Sequence, residues 1–240
     1  MNILLSGASG RVGREIERLA AEDHRLQIAG RASSGSSCFE QAESAEPGDV
    51  VIDFSSPEQT ARALEFARSK QLPLVVGTTG IKRPLQRELE SAAESIPICQ
   101  AANFSIGVHV LRDLASRAAE ALPESFEAEI FELHHRWKVD APSGTALALG
   151  RAVSDARGYE STDPSIRGAG ERASRSVGYQ VGRGGDVVGE HQVMFLGDGE
   201  RIELVHRAGD RAVFARGALH AARWLIGRAP GLYSLRDVLD

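Results

Sequence analysis

Apolar and polar positions follow two different rhythms along the chain. The run Asn2-Ile3-Leu4-Leu5-Ser6 is β-like and breaks at Gly7, after which Val12, Ile16, Leu19 and Ala20 recur at helical spacing. Leu26-Gln27-Ile28-Ala29 is a second short apolar run. Asp49-Val50-Val51-Ile52-Asp53-Phe54 is a third, and its unbroken apolar centre predicts a strand buried on both faces. Ser56 as N-cap and Pro57 at the first helical position predict a helix through about Lys70. Pro73-Leu74-Val75-Val76-Gly77 predicts a fourth strand, residues 83–95 another helix, and Pro97-Ile98-Cys99-Gln100 a fifth strand. Strands alternating with helices are βαβ units, which build a parallel sheet with helices on both faces.

After about Ser105 the rhythm changes. A helix is predicted over 106–122, a β-rich stretch over 126–135 and a second helix over 145–156. Residues 159–175 are polar, contain Gly and Pro, and read as loop. Three β-like runs follow, over 176–181, 186–195 and 201–206, with no helix between them. That order predicts a smaller α+β domain with a mixed, largely antiparallel sheet. Residues 214–226 are helical again and lead into a short tail.

Composition narrows the class. The chain has 240 residues, 42% of them hydrophobic and 25% charged, enough for a sizeable core in one large domain or two small ones. A net charge of −5 argues against nucleic acid as a partner, and anionic ligands need cations placed locally. Cys38 and Cys99 make no disulfide framework and fit reduced thiols in a cytoplasmic protein. No run approaches the ~18 consecutive apolar residues of a membrane span, and the stretch before Gly7 is too short and uncharged for a secretory signal.

Gly7-Ala8-Ser9-Gly10-Arg11-Val12-Gly13 is a G-x-x-G-x-x-G run between the first strand and the first helix. Small residues there allow a tight turn and close approach of a pyrophosphate, whose charge meets the N–H groups and dipole of the helix start. Glycines at such turns also serve strand–helix sterics alone. Dinucleotide sites for NAD place an acid about 20 residues further on, but no acid occurs between Asp23 and Glu40. Arg31, with Ser33 and Ser34 as donors, would instead attract a 2′-phosphate, so NADPH is expected over NADH. The bland reading of Arg31 is an exposed loop arginine.

The densest chemistry lies in His134-His135-Arg136-Trp137-Lys138-Val139-Asp140-Ala141-Pro142-Ser143-Gly144-Thr145. In an extended segment His134, Arg136 and Lys138 would share one side, and Pro142-Ser143-Gly144-Thr145 opens a helix whose free N–H groups can take a carboxylate. The segment matches H-H-x-x-K-x-D-A-P-S-G-T of the 4-hydroxy-tetrahydrodipicolinate (dihydrodipicolinate) reductase family, which the chain resembles over essentially its whole length. Val76-Gly77-Thr78-Thr79-Gly80, Ala101-Ala102-Asn103-Phe104-Ser105, Gly189-Glu190-His191 and Arg236-Asp237-Val238-Leu239 also fit that family, as does the opening glycine run with Arg14.

The resemblance implies a Rossmann-like dinucleotide domain over 1–105 and 214–240, completed by the returning C-terminal helix, and a substrate-binding and oligomerisation domain over 106–213 of a homotetramer. It implies hydride transfer from NADPH or NADH to a cyclic imine dicarboxylate, giving tetrahydrodipicolinate in diaminopimelate and lysine biosynthesis. His134 matches the family's proton donor/acceptor and Lys138 its second proton donor; His135, Gly144 and Thr145 match substrate-binding positions. Gly7, Ala8, Ser9, Gly10, Arg11 and Val12 match the cofactor loop. Gly77, Thr78, Thr79, Ala101, Ala102, Asn103 and Phe104 match segments near the nicotinamide. No metal is implied. The family often carries an acid after the second strand, where this chain has Arg31-Ala32. Two rivals stay open: another two-domain NAD(P) oxidoreductase, such as a semialdehyde dehydrogenase, which needs a catalytic cysteine better placed than Cys38 or Cys99; and a nucleotide-sensing regulator, which needs a DNA- or partner-binding module that no basic helix provides.

Overall fold

The structure, a computed structural model, describes residues 1–32, 48–159 and 165–239; Ser33, Ser34 and Cys38 lie outside them. In chain order the elements are β1 (Asn2–Ser6), α1 (Arg11–Glu22), β2 (Gln27–Ala32), β3 (Val50–Asp53), α2 (Pro57–Lys70), β4 (Leu74–Val76), α3 (Arg83–Ala92) and β5 (Pro97–Gln100). Then come α4 (Ile106–Ala121), β6 (Glu127–His134), α5 (Gly144–Arg157), β7 (Ser165–Ile166), β8 (Val177–Arg183), β9 (Gly189–Gly197) and β10 (Glu200–Ala208). The chain closes with α6 (Ala212–Leu225), β11 (Gly231–Tyr233) and α7 (Leu235–Leu239). They form two compact units, Met1–Ile106 with Arg211–Asp240, and Gly107–Asp210.

The first unit holds a sheet in the order β11-β5-β4-β3-β1-β2, with every pair parallel. Alternation along the strands sends Ile3, Leu5, Ile52 and Val75 to one face, beneath Ile16 of α1 and Ala218 and Ala222 of α6. Leu4, Val51, Val76 and Ile98 face the other way, against Leu64 and Ala67 of α2 and Leu89 of α3. All four residues of β3 are buried, as an unbroken apolar run requires. Helix α2 starts at the N-cap read from the sequence: Ser56 Oγ accepts the Gln59 N–H at 3.4 Å. The tail is a sixth strand and a short helix, which the sequence reading left as tail. Three residues are too short for a measurable period, and β11 owes its shape to pairing with β5.

The second unit carries a sheet in the order β10-β9-β6-β8-β7. β9 is antiparallel to β6 and to β10, while β8 is parallel to β6 and to β7. The balance is more even than a largely antiparallel sheet, because α5 serves as the crossover that parallel neighbours need. Leu111 and Ala115 of α4, with Leu149 and Val153 of α5, pack on Ala128, Ile130, Val193 and Phe195 of one face. On the opposite face Phe131, Leu133, Met194 and Leu196 are only half-buried and Val205 is exposed.

Helix α6 approaches the backbone beyond β5 closely at Gly217, where a Cβ would overlap the Phe104 carbonyl oxygen. Helix propensity alone makes Gly217→Ala stabilising by roughly 1 kcal/mol. Steric overlap reverses the sign, and urea denaturation is expected to show a loss of about 1–3 kcal/mol. A gain in stability would show that this approach is looser than described.

Candidate active site

The segments expected to meet a dinucleotide follow the carboxyl ends of parallel strands of one sheet: residues 7–13 after β1, 77–80 after β4 and 101–104 after β5. Gly7 has φ +83° and its Cβ position is taken by the Phe54 carbonyl, while a Cβ on Gly13 would overlap the Gly7 carbonyl. Those two glycines are therefore required by the protein's own packing. What suits an anion is the helix start itself: α1 opens on Gly10 with no side-chain cap among the described residues, and the first N–H groups of a helix have no partner within it. Ser9 and Arg11 are exposed beside it, whereas Ala8 is buried and Val12 packs on the core. The residues present fit a pyrophosphate. Arg31, exposed at the end of β2, places its guanidinium on Glu17 of α1, so a 2′-phosphate would compete with that carboxylate.

The turn after β4 is held from beneath by a residue the sequence reading passed over. Asp53 is fully buried at the end of β3 and accepts hydrogen bonds from Thr60 Oγ1 at 2.6 Å, Thr78 Oγ1 at 2.7 Å and Ser55 Oγ. Thr78 in turn accepts the Ser55 N–H at 2.8 Å, locking the ends of β3 and β4 together. Thr78 is thus buried and Thr79 exposed. Gly77 leaves room for the Phe54 ring, and Ala101 N–H bonds the Val76 carbonyl at 3.1 Å. Asn103 Oδ1 accepts the Ser105 N–H at 2.8 Å. The Phe104 side chain is buried edge-to-face on Phe54, 5.5 Å between centroids, so any cofactor contact there is made by backbone.

In the second unit, β6 delivers two side chains of one face, Glu132 and His134, into a buried cluster. Glu132 is 1% exposed. Its oxygens accept the Ser143 N–H at 3.0 and 3.1 Å and Arg183 Nη2 at 2.8 Å. His134 Nδ1 lies 3.6 Å from Glu132, too long for a hydrogen bond but within ion-pair range. His191, opposite Glu132 across β9, sits edge-to-face on His134 at 5.1 Å and has Ser143 Oγ 3.3 Å from its Nε2. Ser143 is the N-cap of α5 and accepts the Ala146 N–H at 3.1 Å. Beside it Gly144 is exposed, and a Cβ there would meet no protein atom within 4 Å. Nothing in the protein itself demands glycine at that point, which suits an approaching ligand.

The segment after β6 is not extended. Lys138 N–H bonds the His135 carbonyl at 3.1 Å, closing a turn, so His134, Arg136 and Lys138 do not line one side as expected. The strand ends at His134 because Gly184 N–H takes its carbonyl at 2.9 Å while Arg183 Nη2 pins the Asp140 carbonyl at 2.7 Å. Lys138 Nζ is chelated by both oxygens of Asp140, at 2.8 and 2.9 Å, near enough to His134 to oppose charge on its ring. His135 turns away to pack against the exposed Trp137, 5.8 Å between centroids.

Burial and charge pull these groups in opposite senses. Burial pushes the Glu132 carboxyl up, but hydrogen bonds from Ser143 and Arg183 outweigh it and hold it below the usual carboxylate range. Burial, with Lys138 and Arg183, pushes the His134 imidazole down against the pull of Glu132 and Asp140. Burial and the His134 ring drive His191 down to about 4. Ligand-type atoms of Glu132, His134 and His191 lie within 4.8 Å of one another. The Arg183 guanidinium already brings a fixed positive charge to that carboxylate, which opposes a cation there. Sequence reading missed Glu132 and Arg183 and took His191 only as part of a matching Gly-Glu-His run. Glu132 had one signal, a charge two residues before His134 in an alternating strand. Arg183 had none.

Two family models match the chain: dihydrodipicolinate reductase, N-terminus, over residues 1–104, and dihydrodipicolinate reductase, C-terminus, over residues 107–239. A 4-hydroxy-tetrahydrodipicolinate reductase of Thiobacillus denitrificans is 44% identical, covering 100% of this chain and 98% of its own. One of Alkalilimnicola ehrlichii is 40% identical over 99% and 98%. Among solved structures, a dipicolinate-bound dihydrodipicolinate reductase from Paenisporosarcina superposes with TM-score 0.77 at 20% identity, covering 98% of this chain and 97% of that one. A putative myo-inositol dehydrogenase from Sinorhizobium meliloti gives TM-score 0.62 at 10% identity, a likeness of fold.

The lowered His191 has a thermodynamic signature. Between its usual value of 6.5 and about 4, the unfolded chain binds a proton that the folded chain refuses. The stability contributed by neutral His191 is therefore complete above 6.5 and is lost as pH falls toward 4. Urea unfolding across that window is expected to show stability rising with pH, with a shallower slope in His191→Gln. Identical slopes in the two proteins would contradict this.

Proposed function

The chain belongs to the dihydrodipicolinate reductase family, and from that premise we propose that it is a 4-hydroxy-tetrahydrodipicolinate reductase. It reduces a cyclic imine dicarboxylate to tetrahydrodipicolinate with NAD(P)H, serving diaminopimelate and lysine biosynthesis in the cytoplasm. The observation that carries this reading is a proton-handling imidazole, His134, joined through Glu132 and Ser143 to a helix start with open space at Gly144. When bound, the reduced nicotinamide supplies the hydride.

Every other role falls to the chain's own groups. The N–H groups of Gly144 and Thr145 at the start of α5 hold one substrate carboxylate, helped by the helix dipole. His135 takes part in binding the same ligand. Lys138 Nζ exchanges Asp140 for the anionic substrate, stabilises negative charge as it develops and acts as second proton donor. His134 donates from Nε2, which makes no hydrogen bond among the described residues, while Nδ1 stays toward Glu132. The uncapped start of α1, with Ser9 and Arg11, holds the pyrophosphate. Arg31 favours NADPH once a 2′-phosphate displaces Glu17. The half-buried apolar face of Phe131, Leu133, Met194 and Leu196, with Val205, is the surface through which chains assemble, as a homotetramer.

Supplying the condensation product of pyruvate and aspartate semialdehyde and following nicotinamide oxidation tests the reading. Turnover is expected, with kcat/KM higher for NADPH than for NADH. Lys138→Ala and His134→Gln are each expected to lower kcat by about 10²-fold or more with NADPH binding nearly intact. No turnover by folded protein would favour a nucleotide-sensing regulator, and wild-type kcat in either variant would remove that residue from the mechanism. Light scattering is expected to give four times the 25.7 kDa of one chain. A monomer in solution would refute the assembly.

A further inference from the structure

Glu132 does work that none of the roles above includes. It is a carboxylate at 1% exposure, yet three neighbouring segments contribute something to it. The start of α5 gives it the Ser143 N–H at 3.0 Å, the end of β8 gives it Arg183 at 2.8 Å, and its own strand places His134 Nδ1 3.6 Å away. That Nδ1 is buried and has no hydrogen-bond partner among the described residues, and the Glu132 carboxylate is the ion-pair partner it faces there. On the ring's other side Gly189 leaves space: a Cβ there would come within 3.0 Å of Nε2.

We propose that Glu132 is a positioning residue for the reaction: it turns Nδ1 of His134 inward, leaves Nε2 to give up the proton, and ties that ring to the helix start that receives the substrate carboxylate. The inference rests on the function proposed above. When Nε2–H passes its proton to the substrate, the ring left behind keeps its hydrogen on Nδ1, facing Glu132, and is ready to be recharged at Nε2. Arg183 completes the arrangement by neutralising Glu132, so the carboxylate beneath the ring does not repel a dianionic ligand at Gly144. The charged groups facing His134 are Glu132 on its own strand, Lys138 and Asp140 in the following turn, Arg183 at the end of β8 and His191 on β9. Of these, Glu132 and Asp140 favour the protonated ring and the others oppose it.

The arrangement predicts shifts of opposite sign. In the full-length protein the His134 ring is followed by NMR titration in wild type, Glu132→Gln and Arg183→Gln. Loss of the carboxylate is expected to lower the ring's midpoint by about one pH unit, and loss of the guanidinium to raise it. Glu132→Gln is also expected to lower kcat by about tenfold or more, with the KM for NADPH unchanged. A merely structural carboxylate would leave the midpoint in place or move it the same way in both variants, and either result overturns the proposal. Should Glu132→Gln fail to fold, Arg183→Gln decides: a raised midpoint supports the proposal, and an unmoved or lowered one overturns it. The titration needs no turnover, so an inactive wild-type protein would defeat the proposed reaction while this inference was still decided by the ring.

Discussion

Burying a carboxylate costs several kcal/mol unless donors and a counter-charge replace the water it loses. Glu132 meets that demand by drawing on two elements besides its own: the N–H at the start of α5 and the guanidinium at the end of β8. The same guanidinium holds the Asp140 carbonyl, which fixes the path of the segment carrying Lys138. Most of the site's geometry in the second unit thus follows from satisfying one charge. Taking away a single partner would leave the remainder buried and unpaired, which is worse than never having built the pair.

The first unit answers a similar demand by other means. Asp53 is as deeply buried as Glu132, but it accepts from three hydroxyls, those of Ser55, Thr60 and Thr78. Hydroxyl partners suit a scaffold: they lock the ends of β3 and β4 without presenting a cation to a ligand. In the second unit the partners of Glu132 include an arginine and an imidazole, groups that influence one another's protonation. Two buried acids, each at the end of a strand or two residues from it, serve a fixed turn in one case and a cluster of interacting charges in the other.

How much of this could be read in advance varied with the range of the interaction. The apolar centre of β3, the Ser56-Pro57 helix start and the glycine turn at residues 7–13 are local patterns, and the structure keeps each of them. The tail escaped because β11 is three residues long and is a strand only by virtue of β5. The segment around Arg136 is not extended as expected because its path depends on contacts from Gly184 and Gly185, just beyond β8 and about 50 residues away. The glycines of the opening turn were open to two readings, a ligand or plain sterics, and the packing adds that Gly7 and Gly13 answer to the carbonyls set against them.

The sequence by itself determined the family and most of the order of strands and helices up to the tail, and it singled out the segment between His134 and Thr145, since these reside in local spacing and in a long motif. Only the tertiary structure decided which groups surround that imidazole. Glu132 comes from the same strand, but Arg183 and His191 arrive from strands that are neighbours in the sheet and distant along the chain: β6 pairs with β8 and β9 across gaps of roughly fifty to seventy residues. A side chain's charge is written in its letter. Its surroundings, and so the proton it holds or yields, are set by whatever strand register and burial bring within a few ångströms.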